Sequence, residues 1–280
     1  MTQQMIVIAG AKGGVGRSTL AVNISWSLAQ TGFRTILMDA NLGLGNDDIL
    51  LGLCPESSIK DIFERGKSLT EVAITVRPNL VLIPASSGDY ETANANSLAV
   101  EGIFYDLENS FHASSYLIID TEANLSDRTR HLLHCADHVV IVSTPDATAL
   151  ANSYATVKLL ASRPLKKEVK VSMVVNQTRS DIEDQETFDQ LSRLCKKYLG
   201  FSPEFLGAIP HDDKIREASR RHIPFIEAYP KLKASKNLLK IIQNLQTAGK
   251  GSADQAFSML NEYLRPLLTG STSRFGVTHV

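Results

Sequence analysis

The amino-acid sequence predicts an α/β protein with a doubly wound, mainly parallel sheet. Short apolar runs rich in β-branched residues alternate with amphipathic stretches of helical length, which indicates repeated strand–helix units. Most of these runs are hydrophobic at nearly every position, which is typical of strands covered by helices on both faces. The predicted strands are Met5–Ala9, Thr35–Asp39, Leu80–Pro84, Tyr116–Asp120, Val139–Ser143, Val169–Val175 and Phe205–Ile209. The predicted helices cover about residues 18–30, 91–109, 127–135, 147–162, 184–199, 212–221 and 232–247.

The length and composition fit one large domain with a C-terminal appendage. The chain has 280 residues, of which 43% are hydrophobic and 21% are charged, as in soluble globular proteins. We place the domain at residues 1–248. The appendage, residues 249–280, begins with a hinge of sequence GKGS, continues with a predicted amphipathic helix over Ala253–Leu268, and ends in a polar tail.

Charge and cysteine content argue against several classes of protein. The formal net charge is −1, so no basic excess indicates a nucleic-acid or anionic-membrane partner. Cys54, Cys135 and Cys195 lie far apart and form no C-x-x-C pair, which disfavours a disulfide scaffold or an iron–sulfur site. The apolar run at the N-terminus is short and has no basic region before it, so we expect neither a signal peptide nor a transmembrane segment. These observations favour a cytoplasmic protein.

The glycine-rich segment after the first strand carries the main chemical signal. Residues 10–19, GAKGGVGRST, fit the phosphate-binding pattern G-x-x-x-x-G-K-[ST], except that Arg17 stands where lysine is expected. Glycines allow positive φ and close backbone approach, so that N–H groups surround a phosphate, and the following helix N-terminus faces the same anion. The loop residues predicted to bind nucleotide are Gly10, Gly13, Gly14, Val15, Gly16, Arg17, Ser18 and Thr19. Because the Ser18 hydroxyl would also bind Mg²⁺, the sequence predicts ATP or ADP with Mg²⁺.

A lysine inside this loop relates the chain to a known family. Lys12, in the triplet K-G-G, makes the loop similar to the deviant Walker motif of the MinD/ParA/nitrogenase-iron-protein group of P-loop ATPases. LMDANLGLGNDDILLGL, residues 37–53, resembles switch I of the FlhG/FleN branch of flagellar-number regulators, whose pattern is D-A-D-L-G-L-A-N-x-D-x-L-L-G-L. IIDTEANLSD, residues 118–127, occupies the place of switch II. IPHDDKIREASRRHIPFIEAYPKLKAS, residues 209–235, resembles the last strand and base-binding turn.

The resemblance implies roles for individual residues. It implies a P-loop NTPase fold and an ATP-sandwich homodimer, in which Lys12 reaches the partner's nucleotide as a catalytic residue. Asp39 is expected to orient the Mg²⁺ shell, and Asp120 to hold a Mg²⁺-bound water. An asparagine after a later strand is expected to read the adenine edge, and the backbone of the base-binding turn to complete the pocket. The residues in these places are Asn176, Pro210, His211 and Asp212.

Three departures from the family pattern lie at the catalytic motifs. Arg17 replaces the lysine that bridges the β- and γ-phosphates, and a planar guanidinium is not equivalent to a compact ammonium. Asn41 replaces the second aspartate of D-A-D, which positions the attacking water, and an amide cannot accept a proton. Residues 122–124, Glu-Ala-Asn, replace the A-A-G of switch II. Because the loss of one such contact costs about 10²–10³ in rate, we predict weak or absent hydrolysis.

The sequence leaves three functions open. The leading one is an ATP-binding spatial regulator of the MinD/FlhG type, which controls flagellar number or placement through a flagellar or cell-pole partner. The alternatives are an active ParA/MinD-like ATPase that cycles between monomer and dimer, and an interaction scaffold that binds no nucleotide. The helix at residues 253–268 either docks on protein or makes peripheral contact with the inner face of the cytoplasmic membrane. Nucleic acid is disfavoured as a partner.

Overall fold

A computed structural model describes residues 3–86, 113–162 and 169–248, together with residues 103, 107, 110 and 111. Within these residues the chain forms eight strands and ten helices. The strands are β1 (Gln4–Ala9), β2 (Thr35–Asp39), β3 (Ile74–Arg77), β4 (Leu80–Ile83), β5 (Tyr116–Asp120), β6 (His138–Ser143), β7 (Lys170–Thr178) and β8 (Glu204–Pro210). The helices are α1 (Arg17–Gln30), α2 (Asp47–Leu50), α3 (Ile59–Arg65), α4 (Leu69–Val72), α5 (Asp127–Cys135), α6 (Ala147–Ala161), α7 (Asp181–Leu199), α8 (Asp213–Arg220), α9 (Phe225–Ala228) and α10 (Lys233–Ala248).

The strands form one sheet in the order β3-β4-β2-β5-β1-β6-β7-β8. Strands β3 and β4 pair antiparallel, and the other neighbouring pairs are parallel. From β1 the chain first winds towards the β3 edge and returns through β5, then winds from β6 to the β8 edge. This is the doubly wound fold that the sequence predicts. In such a sheet the crevice for a ligand lies outside the carboxyl ends of the strands, where the winding reverses.

Alternate residues of each strand pack into two separate apolar layers, because successive side chains point to opposite faces of a sheet. In β1, Ile6 and Ile8 belong to the layer covered by α1, α9 and α10. Val7 and Ala9 belong to the opposite layer, covered by α5, α6 and α7. Burial of both faces explains why the central strands are hydrophobic at nearly every position.

The structure adds elements that the sequence pattern did not predict. Strand β3 lies at the sheet edge, and its four residues are partly or fully exposed, so it lacks a continuous apolar run. Helices α2, α3, α4 and α9 have four to seven residues, which is too short for a helical period to register in the sequence. Most of the helix predicted over residues 91–109, and all of the appendage at 249–280, lie outside the described residues. In the part of the chain that is described, no helix has the length and apolarity needed to cross a membrane.

Candidate functional site

A cleft of about 590 Å³ opens at the carboxyl ends of the strands. Its walls come from the loop after β1, the segment after β2, the turn after β5, the end of β7, and the region from β8 to α9. The lining residues are Gly13, Gly14, Gly16, Arg17, Ser18, Thr19, Leu20, Asn41, Leu44, Asn46, Leu50, Ala123, Asn176, Gln177, Ile209, Pro210, His211, Asp212, Ile215, Arg216, Ser219 and Phe225. The structure thus brings together most of the residues that the sequence predicts to bind nucleotide, from both ends of the domain. Gly10, Lys12, Val15, Asp39 and Asp120 lie behind or beside this surface.

The glycine loop between β1 and α1 has the conformation that an anion cradle requires. Gly14 and Gly16 have φ of 79° and 93°, in the left-handed region that disfavours residues with a Cβ. At Gly10 a Cβ would lie 2.7 Å from the carbonyl oxygen of Val142, so only glycine lets the loop pass this close to β6. Gly16 is the N-cap of α1 and provides no side-chain cap. The N–H groups of the first helical turn are therefore available to an anion.

Ser18, Asp39 and Asp120 converge at the floor of the cleft. The Ser18 hydroxyl donates to Asp120 Oδ2 at 2.5 Å. Asp39 accepts backbone N–H groups from Asn41 at 3.0 Å, Asn46 at 2.8 Å and Asp47 at 3.2 Å. Both aspartates are almost fully buried. Burial raises the pKa of each carboxyl above its ordinary value, and for Asp120 the charge of Asp39 raises the pKa further.

A third carboxylate, which the sequence pattern did not single out, lies in the same place. Asp47 opens α2, is fully buried, and offers an oxygen that lies within 4.8 Å of oxygens of Asp39 and Asp120. Among the described residues, neither oxygen of Asp47 has a hydrogen-bond partner, and neither does Asp120 Oδ1. Position 47 corresponds to an unspecified place in the switch I pattern, and an acidic residue in the first turn of a helix is commonplace. Only the fold shows that this aspartate is buried against two others.

These oxygens fit a hard divalent cation such as Mg²⁺. Carboxylate and hydroxyl oxygens are its preferred ligands, and the cluster contains buried carboxylate oxygens that no protein donor satisfies. An unpartnered buried carboxylate is costly unless a cation or a proton compensates its charge. Ser18, Asp39 and Asp120 are the residues that the sequence analysis assigns to the cation.

Arg17 is turned towards the backbone of its own loop. Its Nη1 donates to the carbonyl oxygens of Gly10 and of Lys12, the latter at 2.8 Å, and its Nε donates to Thr121 O at 3.1 Å. The residue is only 8% exposed. Burial lowers its pKa, and the charges of Asp120 and Glu122 partly oppose this decrease. In this arrangement Arg17 ties the glycine loop to the switch II strand end.

Lys12 lies at the rim of the site and forms an ion pair with Asp146. Its Nζ is 2.6 Å from Asp146 Oδ1, and both side chains are more than one third exposed. Asp146 also caps α6 by accepting the N–H of Ala149 at 2.9 Å. The ion pair with Lys12 is the main reason that the pKa of Asp146 lies well below its ordinary value. The ion pair therefore holds the side chain of Lys12 at the surface of the glycine loop.

The base side of the cleft is joined to the glycine loop by two amides at the end of β7. Asn176 Nδ2 donates to Val15 O at 2.7 Å, and Gln177 Nε2 donates to Gly14 O at 2.9 Å. Asn176 lines the cleft as expected, but its amide holds the loop in this structure, so its contact with an adenine edge stays a prediction. Beyond it lie Pro210, His211 and Asp212, with Ile215 and Phe225 as apolar neighbours.

The switch residues that depart from the family pattern are engaged with their own segments. Asn41 Nδ2 donates to Leu44 O at 2.8 Å. Glu122 accepts from Arg128 Nη2 at 3.0 Å and also from Ser126 Oγ. The cleft also contains residues that the motifs did not identify: Leu20, Leu44, Asn46, Leu50, Ala123, Gln177, Ile209, Ile215, Arg216, Ser219 and Phe225. Most of them lie in the segments 37–53, 118–127 and 209–235 that resemble the family, but the resemblance assigns them no individual role.

A glycine loop that leads from a strand to a helix N-terminus, at the winding reversal of a parallel sheet and beside buried carboxylates, defines a P-loop nucleotide-binding protein. The chain belongs to the CobQ/CobB/MinD/ParA nucleotide-binding domain family, whose model matches residues 6–225.

The relatives of this chain include an antiactivator and a flagellum site-determining protein. The chain is 29% identical over 244 residues to the antiactivator FleN of Pseudomonas aeruginosa, covering 87% of this chain and 86% of that protein. It is 28% identical over 218 residues to the flagellum site-determining protein YlxH of Helicobacter pylori, covering 78% and 73%. The fold is similar to that of the septum site-determining protein MinD from Pyrococcus horikoshii complexed with Mg-ADP. That comparison has a TM-score of 0.74 and 20% identity, and covers 88% of this chain and 98% of that chain.

Proposed function

We propose that this protein is a cytoplasmic Mg-ATP-binding switch of the MinD/FlhG type that controls the number or placement of flagella and hydrolyses ATP weakly or not at all. The observation that carries the proposal is the glycine loop at the uncapped N-terminus of α1, directly above the buried carboxylates. Phosphates and a divalent cation are the ligands that such a juxtaposition favours. The MinD structure complexed with Mg-ADP supports the same ligands by analogy.

Each part of the cleft would bind one part of the nucleotide. The backbone N–H groups from Gly13 to Thr19 would surround the phosphates, and the apolar wall with Ile215 and Phe225 would receive the base. Ser18 and Asp120, with Asp39 behind them, would hold Mg²⁺. The cation neutralises phosphate charge when bound. The buried aspartates in turn keep it at the end of the loop, close to Ser18.

The switch segments support slow hydrolysis. The amide of Asn41 can orient a water but cannot accept its proton, and in this structure its Nδ2 is bound to Leu44 O. Glu122, the acidic residue that switch II acquires, is held by Arg128 and Ser126 with its side chain 11% exposed. It therefore does not replace the missing aspartate. Loss of one positioning contact lowers a rate by about 10²–10³.

ATP-dependent formation of a homodimer would let a partner protein distinguish the ATP-bound state, because the dimer presents a surface that the monomer lacks. Lys12 lies at the exposed rim of the cleft in a surface ion pair, and surface ion pairs exchange partners at little cost. The side chains of Leu44 and Ile49, next to the cleft, are 73% and 50% exposed, as is common in surfaces that meet a second protein. The names of the relatives FleN and YlxH favour a flagellar partner over a septal one.

The test measures ATP binding, ATP turnover and oligomeric state on the same wild-type preparation. We expect a saturable Mg-ATP isotherm, turnover far below that of an active ATPase, and dimers in ATP but not in ADP. The double variant Arg17→Lys/Asn41→Asp should increase turnover. Lys12→Ala should bind ATP but remain monomeric, whereas Lys233→Ala, which removes a more exposed ion pair at the start of α10, should dimerise like wild type.

Each of the other functions predicts a different result. Wild-type turnover in the range of active relatives would identify a cycling ATPase and refute slow hydrolysis. A flat isotherm would identify a scaffold that binds no nucleotide. The flagellar role requires a further measurement, in which deletion of the gene changes the number or position of flagella and the Lys12→Ala variant does not restore them.

A further inference from the structure

We infer that Asp47 is a protein ligand for a divalent cation and that the Asp39–Asp47–Asp120 cluster binds this cation in the absence of nucleotide. The inference deepens the proposed function, because it adds a third carboxylate to the cation site of that function. It does not require that ATP binds. We call the side chains of these three residues the aspartate cluster.

The geometry of the cluster fits one ion. The three aspartates each offer an oxygen, and these oxygens lie within 4.8 Å of one another. Oxygens that coordinate one Mg²⁺ ion at about 2.1 Å are about 3 Å apart when adjacent and about 4.2 Å apart when opposite, and the corresponding spacings are slightly larger for Ca²⁺. The bound of 4.8 Å is close to the larger of these spacings, so small adjustments of the side chains would let one hard cation contact all three carboxylates.

The hydrogen bonds that the carboxylate oxygens accept indicate that Asp47 is the aspartate with most oxygens available to a cation. Asp39 already accepts three backbone N–H groups, which fix its orientation. Asp120 Oδ2 accepts from Ser18, whereas its Oδ1 has no partner. Both oxygens of Asp47 are buried and lack a partner within the described part of the chain. Three unpartnered carboxylate oxygens thus lie in one fully buried place.

The charges around Asp47 also favour a cation. Asp47 is buried and faces three other carboxylates, those of Asp39, Asp120 and Asp48. Mutual repulsion of this kind is relieved either by protons or by a metal ion. Because Mg²⁺ sites of P-loop proteins usually combine one or two carboxylates with the phosphates of a substrate, a third carboxylate provides charge that otherwise comes from the nucleotide. This difference is the reason to expect binding without ATP.

The test titrates Mn²⁺, as a probe with the same oxygen preference, into nucleotide-free protein that has been stripped with EDTA. The titration is done at about pH 8, where protons compete less with the metal for carboxylates. Wild type should bind one Mn²⁺ per chain, measured by calorimetry and by the loss of the free-Mn²⁺ EPR signal. Asp47→Asn should weaken binding by about 10–100-fold. Asp48→Asn, the same change at the next residue, should alter it by less than about threefold, since Asp48 is partly exposed and its charge is screened.

Thermal unfolding provides a second readout on the same proteins. In EDTA, Asp47→Asn should melt above wild type, because it removes an uncompensated buried charge. Saturating Mn²⁺ should raise the melting temperature of wild type much more than that of Asp47→Asn. Absence of Mn²⁺ binding by wild type, equal binding by Asp47→Asn, or a lower melting temperature of Asp47→Asn in EDTA would each overturn the inference. A wild type that binds Mn²⁺ but gives a flat ATP isotherm would keep this inference and refute the proposed function.

Discussion

Replacement of Arg17 by lysine tests whether the arginine restrains the glycine loop. Arg17 is the first residue of α1, and it donates hydrogen bonds to carbonyl oxygens of Gly10, Lys12 and Thr121. A lysine at the same place retains the charge but has a single nitrogen, which replaces about one of these three bonds. Contact with phosphate, in contrast, requires the side chain to leave some of these carbonyls. The arginine would therefore stabilise the nucleotide-free protein at the expense of affinity.

The magnitude follows from the two bonds that are lost. At about 1.5 kcal/mol for each hydrogen bond from a charged donor, Arg17→Lys should lower the free energy of unfolding by about 3 kcal/mol. If wild type must break those two bonds to bind ATP, Arg17→Lys avoids this cost and should bind ATP more tightly by the same free energy. At 1.4 kcal/mol per tenfold change, the upper limit is an affinity increase of about 100-fold. Because the guanidinium also gains phosphate contacts, we expect at least about tenfold.

The assay combines urea denaturation of nucleotide-free protein with an ATP isotherm. Arg128→Lys is the matched control, since Arg128 is a similarly buried arginine that pairs with Glu122 outside the glycine loop. It should lose stability with little change in affinity. If Arg17→Lys is less stable but binds ATP no more tightly than wild type, the guanidinium keeps its carbonyl contacts in the bound state. The idea of a restrained loop would then be wrong.

Two further predictions concern buried polar side chains. Burial and the nearby charge of Lys170 lower the pKa of His138 from 6.5 to about 4. The contribution of neutral His138 to the free energy of unfolding should therefore be fully present above about pH 6.5. It should fall by about 3 kcal/mol as the pH decreases towards 4, because the unfolded chain takes up a proton that the folded protein does not. In urea denaturations at a series of pH values, His138→Phe should reduce the decrease of the free energy of unfolding between pH 6.5 and 4. If wild type and variant show the same decrease, His138 is not its cause. Asn23 joins α1 to α9 by accepting the N–H of Ile226 at 3.0 Å. Asn23→Ala should cost about 1–3 kcal/mol in urea denaturation and weaken ATP binding, because the adjacent Phe225 lines the cleft. Asn244→Ala, which loses a similar bond on α10, should affect stability alone.

The sequence predicts the central sheet well because strands that are buried on both faces are apolar at nearly every position. Strand β1 needs apolar side chains for one layer at Ile6 and Ile8, and for the other layer at Val7 and Ala9. The resulting run is visible without knowledge of its neighbours. Strand β3 has only one covered side and a place at the edge, so its residues alternate in character and the run disappears.

The candidate site is predictable where its chemistry is local. Gly10, Gly14 and Gly16 are required by backbone conformation or close approach, and both causes act within one loop. Asp47 could not be found in this way, because its significance comes from proximity to Asp120, which is 73 residues away and reaches it through β2 and β5. The same holds for Phe225 and Gln177, which reach the cleft only through the order of the strands.

The assembly of the cleft from distant segments has a consequence for folding. Its walls are drawn from residues between Gly13 and Phe225, so its contacts have a large separation in sequence. Loop-closure entropy makes such contacts late and slow to form. A nucleotide that binds the whole cleft would therefore not accelerate the early collapse of the chain, since most of its binding surface forms late. It would bind the completed fold, slow unfolding, and raise stability in proportion to the logarithm of its concentration.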